Sequence, residues 1–461
     1  MAEQRTPTEL GTEPVGKLLL RYAIPAIIAQ TATSLYNMVD SIFIGQGVGA
    51  MAISGLGITF PLMNLSGAFG AAIGVGGATM ISVKLGQRDY KVAENVLGNV
   101  VSLNIIIGIL LGLTCLVFMD PILYFFGASE NTLPYARDYM QIIMLGNVIS
   151  HSYFGLNAVL RAAGKPKQAM GATLFTVALN TLMDPLFIYT FNMGVRGAAL
   201  ATILAQMVAL MYQLKMLTNK EELLHLKKGI YRIKTRILKG ILSIGMSPFL
   251  MNICACLVVI IINNVLVSYG GDYSIGAYSI INRVMFIFIM LVIGFNQGMQ
   301  PIAGYNFGAR QYGRVTQVLK HTIAYATIIT TLGFVIGVFF PAQCTRIFTS
   351  DVELIAIANH AMPIMVMFFP IVGFQMATTN FFQSIGMAKK SVFLSLTRQL
   401  IYLLPGILVL PPLIGLDGVW WAMAASDVAA AITTAVMLYL QMKKFHKMQE
   451  QNNTVILKSE I

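Results

Sequence analysis

With 461 residues, 56% of them hydrophobic and 11% charged, the chain falls well below the roughly 25% charge of a soluble domain. Residues 45–83, 240–271 and 354–388 hold no Asp, Glu, Lys or Arg, and each exceeds the ~20 helical residues that cross a ~30 Å hydrocarbon core. A soluble fold is excluded, and the net charge of +12, which would suit nucleic acid in a soluble protein, reads instead as membrane topology with no nucleic-acid partner.

The chain opens on a polar tail, 1–16, with no basic stretch leading into a short apolar core, so no cleaved leader is expected. Twelve apolar helical spans follow, at 18–44, 50–80, 92–119, 133–160, 168–191, 195–217, 237–269, 274–306, 315–341, 352–382, 390–413 and 417–442. Spans one to six make a first lobe, 17–217. The basic segment 218–236 reads as a solvated linker at an anionic lipid surface. Spans seven to twelve make a second lobe, 237–445, and 446–461 is a tail. Of 31 Lys and Arg, 27 fall on the side shared by both tails, Arg137, Arg196 and Arg346 fall on the other, and Arg283 lies within a span. That asymmetry predicts both termini inside the cell membrane. Cys115, Cys254, Cys256 and Cys344 fit no metal or disulfide spacing and read as small apolar residues.

The two lobes are copies of one unit. Leu85-Gly86-Gln87-Arg88-Asp89-Tyr90 returns as Phe307-Gly308-Ala309-Arg310-Gln311-Tyr312, with Gly86 and Gly308 222 residues apart. Gly164 and Gly386, each followed by a basic cluster, keep the offset of 222, and Gly194 and Gly415 are 221 apart. Six spans return the chain to its starting side, so the copies enter the membrane in one orientation. Parallel repeats of this kind occur in secondary transporters, whose sites lie at the repeat interface.

Specific strings support a family reading: Tyr36-Asn37-Met38-Val39-Asp40, Leu85-Gly86-Gln87-Arg88, Leu160-Arg161-Ala162-Ala163-Gly164, Asn296-Gln297-Gly298-Met299-Gln300-Pro301 and Gly304-Tyr305-Asn306-Phe307-Gly308. Together they resemble the multidrug and toxic compound extrusion (MATE) transporters over essentially the whole chain. The resemblance implies an all-α polytopic membrane protein: twelve transmembrane helices in two pseudo-symmetric six-helix bundles. It also implies export of amphipathic organic cations in exchange for H+ or Na+, with no other cofactor.

A mid-membrane carboxylate costs about 2.5–3.5 kcal/mol and calls for a function. Asp40 lies late in the first span, with Thr33, Tyr36 and Asn37 along one helical face, and Asp184 lies in the fifth, one turn after Asn180. They are expected to share a pocket that takes up a proton, or Na+ at Asp40, Asn180 and Asp184. The resemblance adds Asn157 and Thr202 to Tyr36, Asn37 and Asn180 as residues lining this cation site. The structural alternative at Asp184 is a helix restart, with Asp as N-cap and Pro185 in the first turn.

In the second lobe Asp427 and Arg283 are expected to pair as a structural or gating ion pair, with substrate contact as the alternative. One branch of the family uses acidic residues in the seventh and tenth spans. Here the seventh span and the body of the tenth have none, which favours coupling in the first lobe. His151 and His360 read as hydrogen-bonded core histidines. Pro25 and Pro301 can kink their helices.

No phosphate-binding loop, His-Glu-x-x-His or nucleophile elbow occurs, so an enzyme is not expected and an ion gradient must supply the energy. The expected partners are small organic cations and membrane lipids, and a monomer is expected. A lipid-linked oligosaccharide flippase would need a more cationic cleft than one Arg283 supplies. A channel would pass substrate without a counter-ion.

Overall fold

The computed structural model describes residues 8–459, apart from the side chains of residues 37, 38, 50, 272 and 451–459. Among the described residues, ten helices are long and apolar enough to cross a membrane, and two bent helix pairs raise the number to twelve. The spans, in order, are Val15–Gly47, Met51–Gly86, Tyr90–Val117, Leu133–Leu145 with Asn147–Ala162, Pro166–Thr190, Val195–Leu217, Thr235–Gly271, Tyr273–Gly308, Tyr312–Phe339, Val352–Val366 with Phe369–Ser384, Ala388–Ile414 and Asp417–Glu450. Each expected span is present, most of them longer by a turn or less at either end.

The two bends break spans four and ten, by 58° and 52°. They occupy equivalent places in the repeat, because the residues that start their second halves, Gly146 and Phe368, are 222 apart. Each has its own cause. Pro370, in the first turn of the tenth span's second half, cannot donate a backbone hydrogen bond. In span four the break falls at Gly146, and Asn147 Nδ2 donates to the Gly108 carbonyl at 3.2 Å, which fixes the new direction. Pro25, by contrast, sits inside an unbroken helix.

The repeat also holds at the level of backbone conformation. Arg88 and Arg310 both adopt left-handed geometry, with φ of 58° and 59°, which is uncommon for a non-glycine residue. Their turns use the same bonds: Arg88 N to Leu85 O and Asp89 N to Lys84 O, matched by Arg310 N to Phe307 O and Gln311 N to Asn306 O. Asp89 then caps the third span by accepting from Val92 N at 3.3 Å.

The chain forms two compact units, one holding Ile28–Phe249 and the other Gly11–Ile27 with Leu250–Ile461. The first turns of span one therefore belong with the second repeat, and those of span seven with the first. Glycine makes both arrangements. A Cβ on Gly76 would lie 2.1 Å from the Ile241 carbonyl oxygen, and one on Gly298 would lie 2.7 Å from the Ala23 nitrogen. Gly76 and Gly298 are again 222 apart. In a bilayer, lipid tails are as apolar as Leu, so helices are held by such close approach and by interhelical hydrogen bonds.

Within each unit, side chains fill the remaining space. Ile44, Leu62, Leu123, Met140 and Ile203 lie in one buried cluster, and Ile262, Leu266, Phe288, Val366 and Trp420 in another. The linker is largely exposed, and it is also held as a strap on the first unit. Ser102 Oγ donates to Tyr231 O at 2.8 Å, Asn99 Nδ2 to Arg232 O at 3.1 Å, and Lys234 N to Asn99 Oδ1 at 2.9 Å. Lys165 pairs with Glu222 at 3.1 Å.

Candidate functional site

Asp184 sits where the fifth span changes character. Its helix, Pro166–Pro185, runs directly into a π-helical turn, Leu186–Thr190. Pro185 is inside this continuous span and does not restart a helix, so the capping alternative fails. Lacking an N–H, Pro185 leaves the carbonyl of Thr181 without its helical donor, and the wider turn that follows absorbs the mismatch. Such turns recur at functional sites. The Asp184 side chain is fully buried here, at 0% exposure.

Around it the expected residues assemble. Asn180 Nδ2 donates to Asp184 Oδ1 at 3.3 Å and to Thr202 Oγ1, from the sixth span, also at 3.3 Å. Asp40, buried in the first span, brings its carboxyl within hydrogen-bonding reach of that of Asp184. Two carboxyls can share a hydrogen bond only if one carries a proton. Three buried oxygens of this cluster, Asp40 Oδ1, Asp184 Oδ2 and Asn180 Oδ1, accept no hydrogen bond from any described residue. Unpaired buried acceptors are costly, and a set of three such oxygens is suited to take up a cation.

Tyr36 lies within electrostatic range of both aspartates, as expected from its place one turn before Asp40. The side chain of Asn37 lies outside the described residues. Asn157 is buried but engaged elsewhere. Its Nδ2 donates to the Ala169 carbonyl at 2.9 Å and to Thr173 Oγ1 at 3.2 Å, while its Oδ1 accepts from Arg161. Those bonds join spans four and five, and none goes to either aspartate.

Two residues escaped the sequence reading. Tyr139 and Tyr153, one on each side of the bend in span four, are both buried. Tyr139 feels the charges of Asp40, Asp184 and Tyr36, and Tyr153 feels that of Arg161. Their only signal in the sequence was a hydroxyl-bearing aromatic in mid-span. Further along this unit, His151 is buried and bonded through Nε2 to Ser66 Oγ at 3.1 Å, as a core histidine should be.

The second unit has a different electrostatic centre. Asp427 does not pair with Arg283. Its partner is Arg398, whose Nε donates to Asp427 Oδ1 at 2.7 Å. Arg398, one of the 27 basic residues counted on the side of the tails, lies in the π-helical segment Thr397–Leu403 inside the eleventh span. Tyr402, in the same segment, bonds Thr433 of the twelfth span at 2.8 Å, so two polar links join these helices. Arg283 is exposed and has no bonded partner among the described residues. His360, expected in the core, is exposed and bonds Asp417 at 2.9 Å.

Comparison with known proteins fits this arrangement. The sequence profile of the MatE family matches residues 25–186 and again 248–408, the two repeats read from the sequence. The chain belongs to the MATE family. The multidrug export protein MepA of Staphylococcus haemolyticus (strain JCSC1435) is 25% identical over 423 residues, covering 92% of this chain and 93% of that one. MepA of Staphylococcus aureus (strain NCTC 8325 / PS 47) is 26% identical over 433 residues, covering 93% and 94%. Among solved structures, a MOP superfamily transporter from Pyrococcus furiosus matches with a TM-score of 0.89 at 25% identity, covering 96% of this chain and 99% of that one. A MATE crystal structure in the bent conformation matches with a TM-score of 0.91, also at 25% identity and with the same coverage. This MATE protein is a multi-pass, all-helical membrane transporter, and the proteins it resembles are transporters too.

Proposed function

We propose that this MATE protein is a multidrug exporter that exchanges amphipathic organic cations for an inward-moving H+ or Na+, with Asp40 and Asp184 carrying the coupling ion. The observation that supports it is a pair of buried carboxyls close enough to interact, with three acceptor oxygens lacking donors and no basic side chain bonded to either among the described residues. Protonation from outside neutralises the pair, and release inside restores its charge. Na+ would use the same oxygens of Asp40, Asn180 and Asp184, with Thr202 orienting Asn180. The resemblance to MepA supports drug-like organic cations as substrates.

The energy suffices. One charge crossing 100 mV supplies about 2.3 kcal/mol, and one pH unit adds about 1.4 kcal/mol. Together they sustain a gradient of a few hundredfold in a neutral exchange, at tenfold per 1.4 kcal/mol. The distribution of Lys and Arg supports a plasma-membrane protein with both termini inside, and the coupling scheme requires only a monomer. In proteoliposomes with proton and sodium gradients imposed separately, one of the two should drive dye efflux and Asp40→Asn should abolish it. Full gradient-driven efflux by a folded Asp40→Asn protein would overturn the proposal.

A further inference from the structure

At the headgroup end of the second and third spans, well away from the aspartates, the strap and the third span line an open pocket of about 550 Å³. Lys91, Lys227, Lys228 and Lys234 line it, with Tyr90 and Glu94. Glu94 is the only carboxylate in the lining, and Lys227 neutralises it at 2.5 Å. Three ammonium groups, on Lys91, Lys228 and Lys234, therefore face one space with no carboxylate partner among the described residues. The strap's bonds to Asn99 and Ser102 fix the wall that presents two of them.

We propose that this cavity holds a glycerophosphate anion, presented as the headgroup of an acidic phospholipid. Phosphate chemistry follows from the lining: three lysines supply charge and donors, and the Tyr90 hydroxyl one more donor. The lipid source follows from depth. The third span has 28 residues, about 42 Å at 1.5 Å per residue. That exceeds the ~30 Å hydrocarbon core by about 12 Å. Ser102, which holds Tyr231, is about 18 Å from the start of that span. The strap thus runs from the headgroup layer to about 6 Å past the edge of the hydrocarbon when all of that excess lies at this end, and its outward side chains change accordingly. Lys227, Lys228 and Lys234 are exposed, and so are Tyr231 and Ile233, at 43% and 39%. An aromatic and an aliphatic residue beside a basic pocket suit glycerol and acyl chain, where a free anion would gain nothing from them.

Native mass spectrometry of the full chain, released from nanodiscs of phosphatidylglycerol and phosphatidylcholine, tests this. The wild type should retain phosphatidylglycerol at least tenfold over phosphatidylcholine. Lys91→Gln/Lys228→Gln/Lys234→Gln should lose that preference, while Lys84→Gln, outside the cavity, keeps it. All substituted side chains but Lys84 are exposed, so folding is checked by an unchanged melting temperature, with Lys228→Glu alone as a milder second variant. In a parallel arm, displacement of the bound lipid by millimolar inorganic phosphate or glycerol phosphate would assign the pocket to a soluble anion and overturn the lipid source. Equal retention of both lipids by the wild type, or an unchanged preference in the triple variant, would overturn the site itself.

Discussion

Where the first repeat carries Asp40, Asn180 and Asp184, the second carries Ile262, Tyr402 and Gly406, each 222 residues further on. The backbones share the bends of spans four and ten and the left-handed arginines, yet the π-helical turns fall at different places, Leu186–Thr190 and Thr397–Leu403, and the chemistry has parted. Ile262 lies in the apolar core of the second unit, in the place equivalent to a buried carboxyl in the first. The second unit's own buried carboxyl, Asp427, is answered by Arg398. The first unit's two are answered by each other and an amide. Buried charge that is neutralised in place serves structure. The first unit's carboxyls have no basic partner among the described residues, and it is on that difference that the proposed coupling rests.

The largest break in this contrast should come from Asp40→Asn. Gradient-driven efflux is expected to fall about a hundredfold or more, because the group holding the ion's charge is gone, while size-exclusion behaviour stays that of wild type. Retained coupling would mean that the second unit carries ions as well. Next is the reverse exchange, Ile262→Asp, which places an unanswered carboxylate at the equivalent position. A stability loss of about 2.5–3.5 kcal/mol is expected, seen as a lower melting temperature in detergent, and a neutral outcome would show that the second unit tolerates charge equally well.

Asp427→Asn should be milder. Breaking a buried pair costs about 3–5 kcal/mol, but Arg398 is about a third exposed, so a loss on the order of 2 kcal/mol is expected. Arg398→Gln/Asp427→Asn should recover most of it with transport retained. Loss of transport without loss of stability would give the pair a role in export. The smallest effect belongs to Thr202→Val. Removing one hydrogen bond to Asn180 should weaken the apparent affinity for the coupling ion about five- to tenfold, at about 1 kcal/mol, in a titration of efflux against ion concentration. No change would place Thr202 outside the ion's neighbourhood.

The twelve spans, the duplication and the two aspartates were legible because each leaves a one-dimensional mark. An uncharged run, a fixed offset and a costly residue in an apolar stretch can all be counted along the chain. What was not legible depends on which helix meets which. Arg398 was counted with Lys389 and Lys390 on the side of the tails, and only the packing of spans eleven and twelve brings it to Asp427. Tyr139 and Tyr153 gave only the weak signal of a hydroxyl-bearing aromatic in mid-span, and the bend between them, at Gly146, leaves no spacing pattern. Asn157, placed by resemblance, is held by Ala169 and Thr173 through bonds that no spacing rule would list.

The glycine contacts at Gly76 and Gly298 bear on biosynthesis. The first unit needs residues 235–249 to complete its packing, so it cannot close when the sixth span leaves the ribosome. It must wait for the strap and the opening turns of the seventh. The second unit meets the opposite schedule, because its missing piece, residues 11–27, is the first span segment to be made and stands ready throughout. Cutting the gene in the strap would therefore yield two halves that are each incomplete alone, and co-expression, not separate expression, is the condition under which either should accumulate.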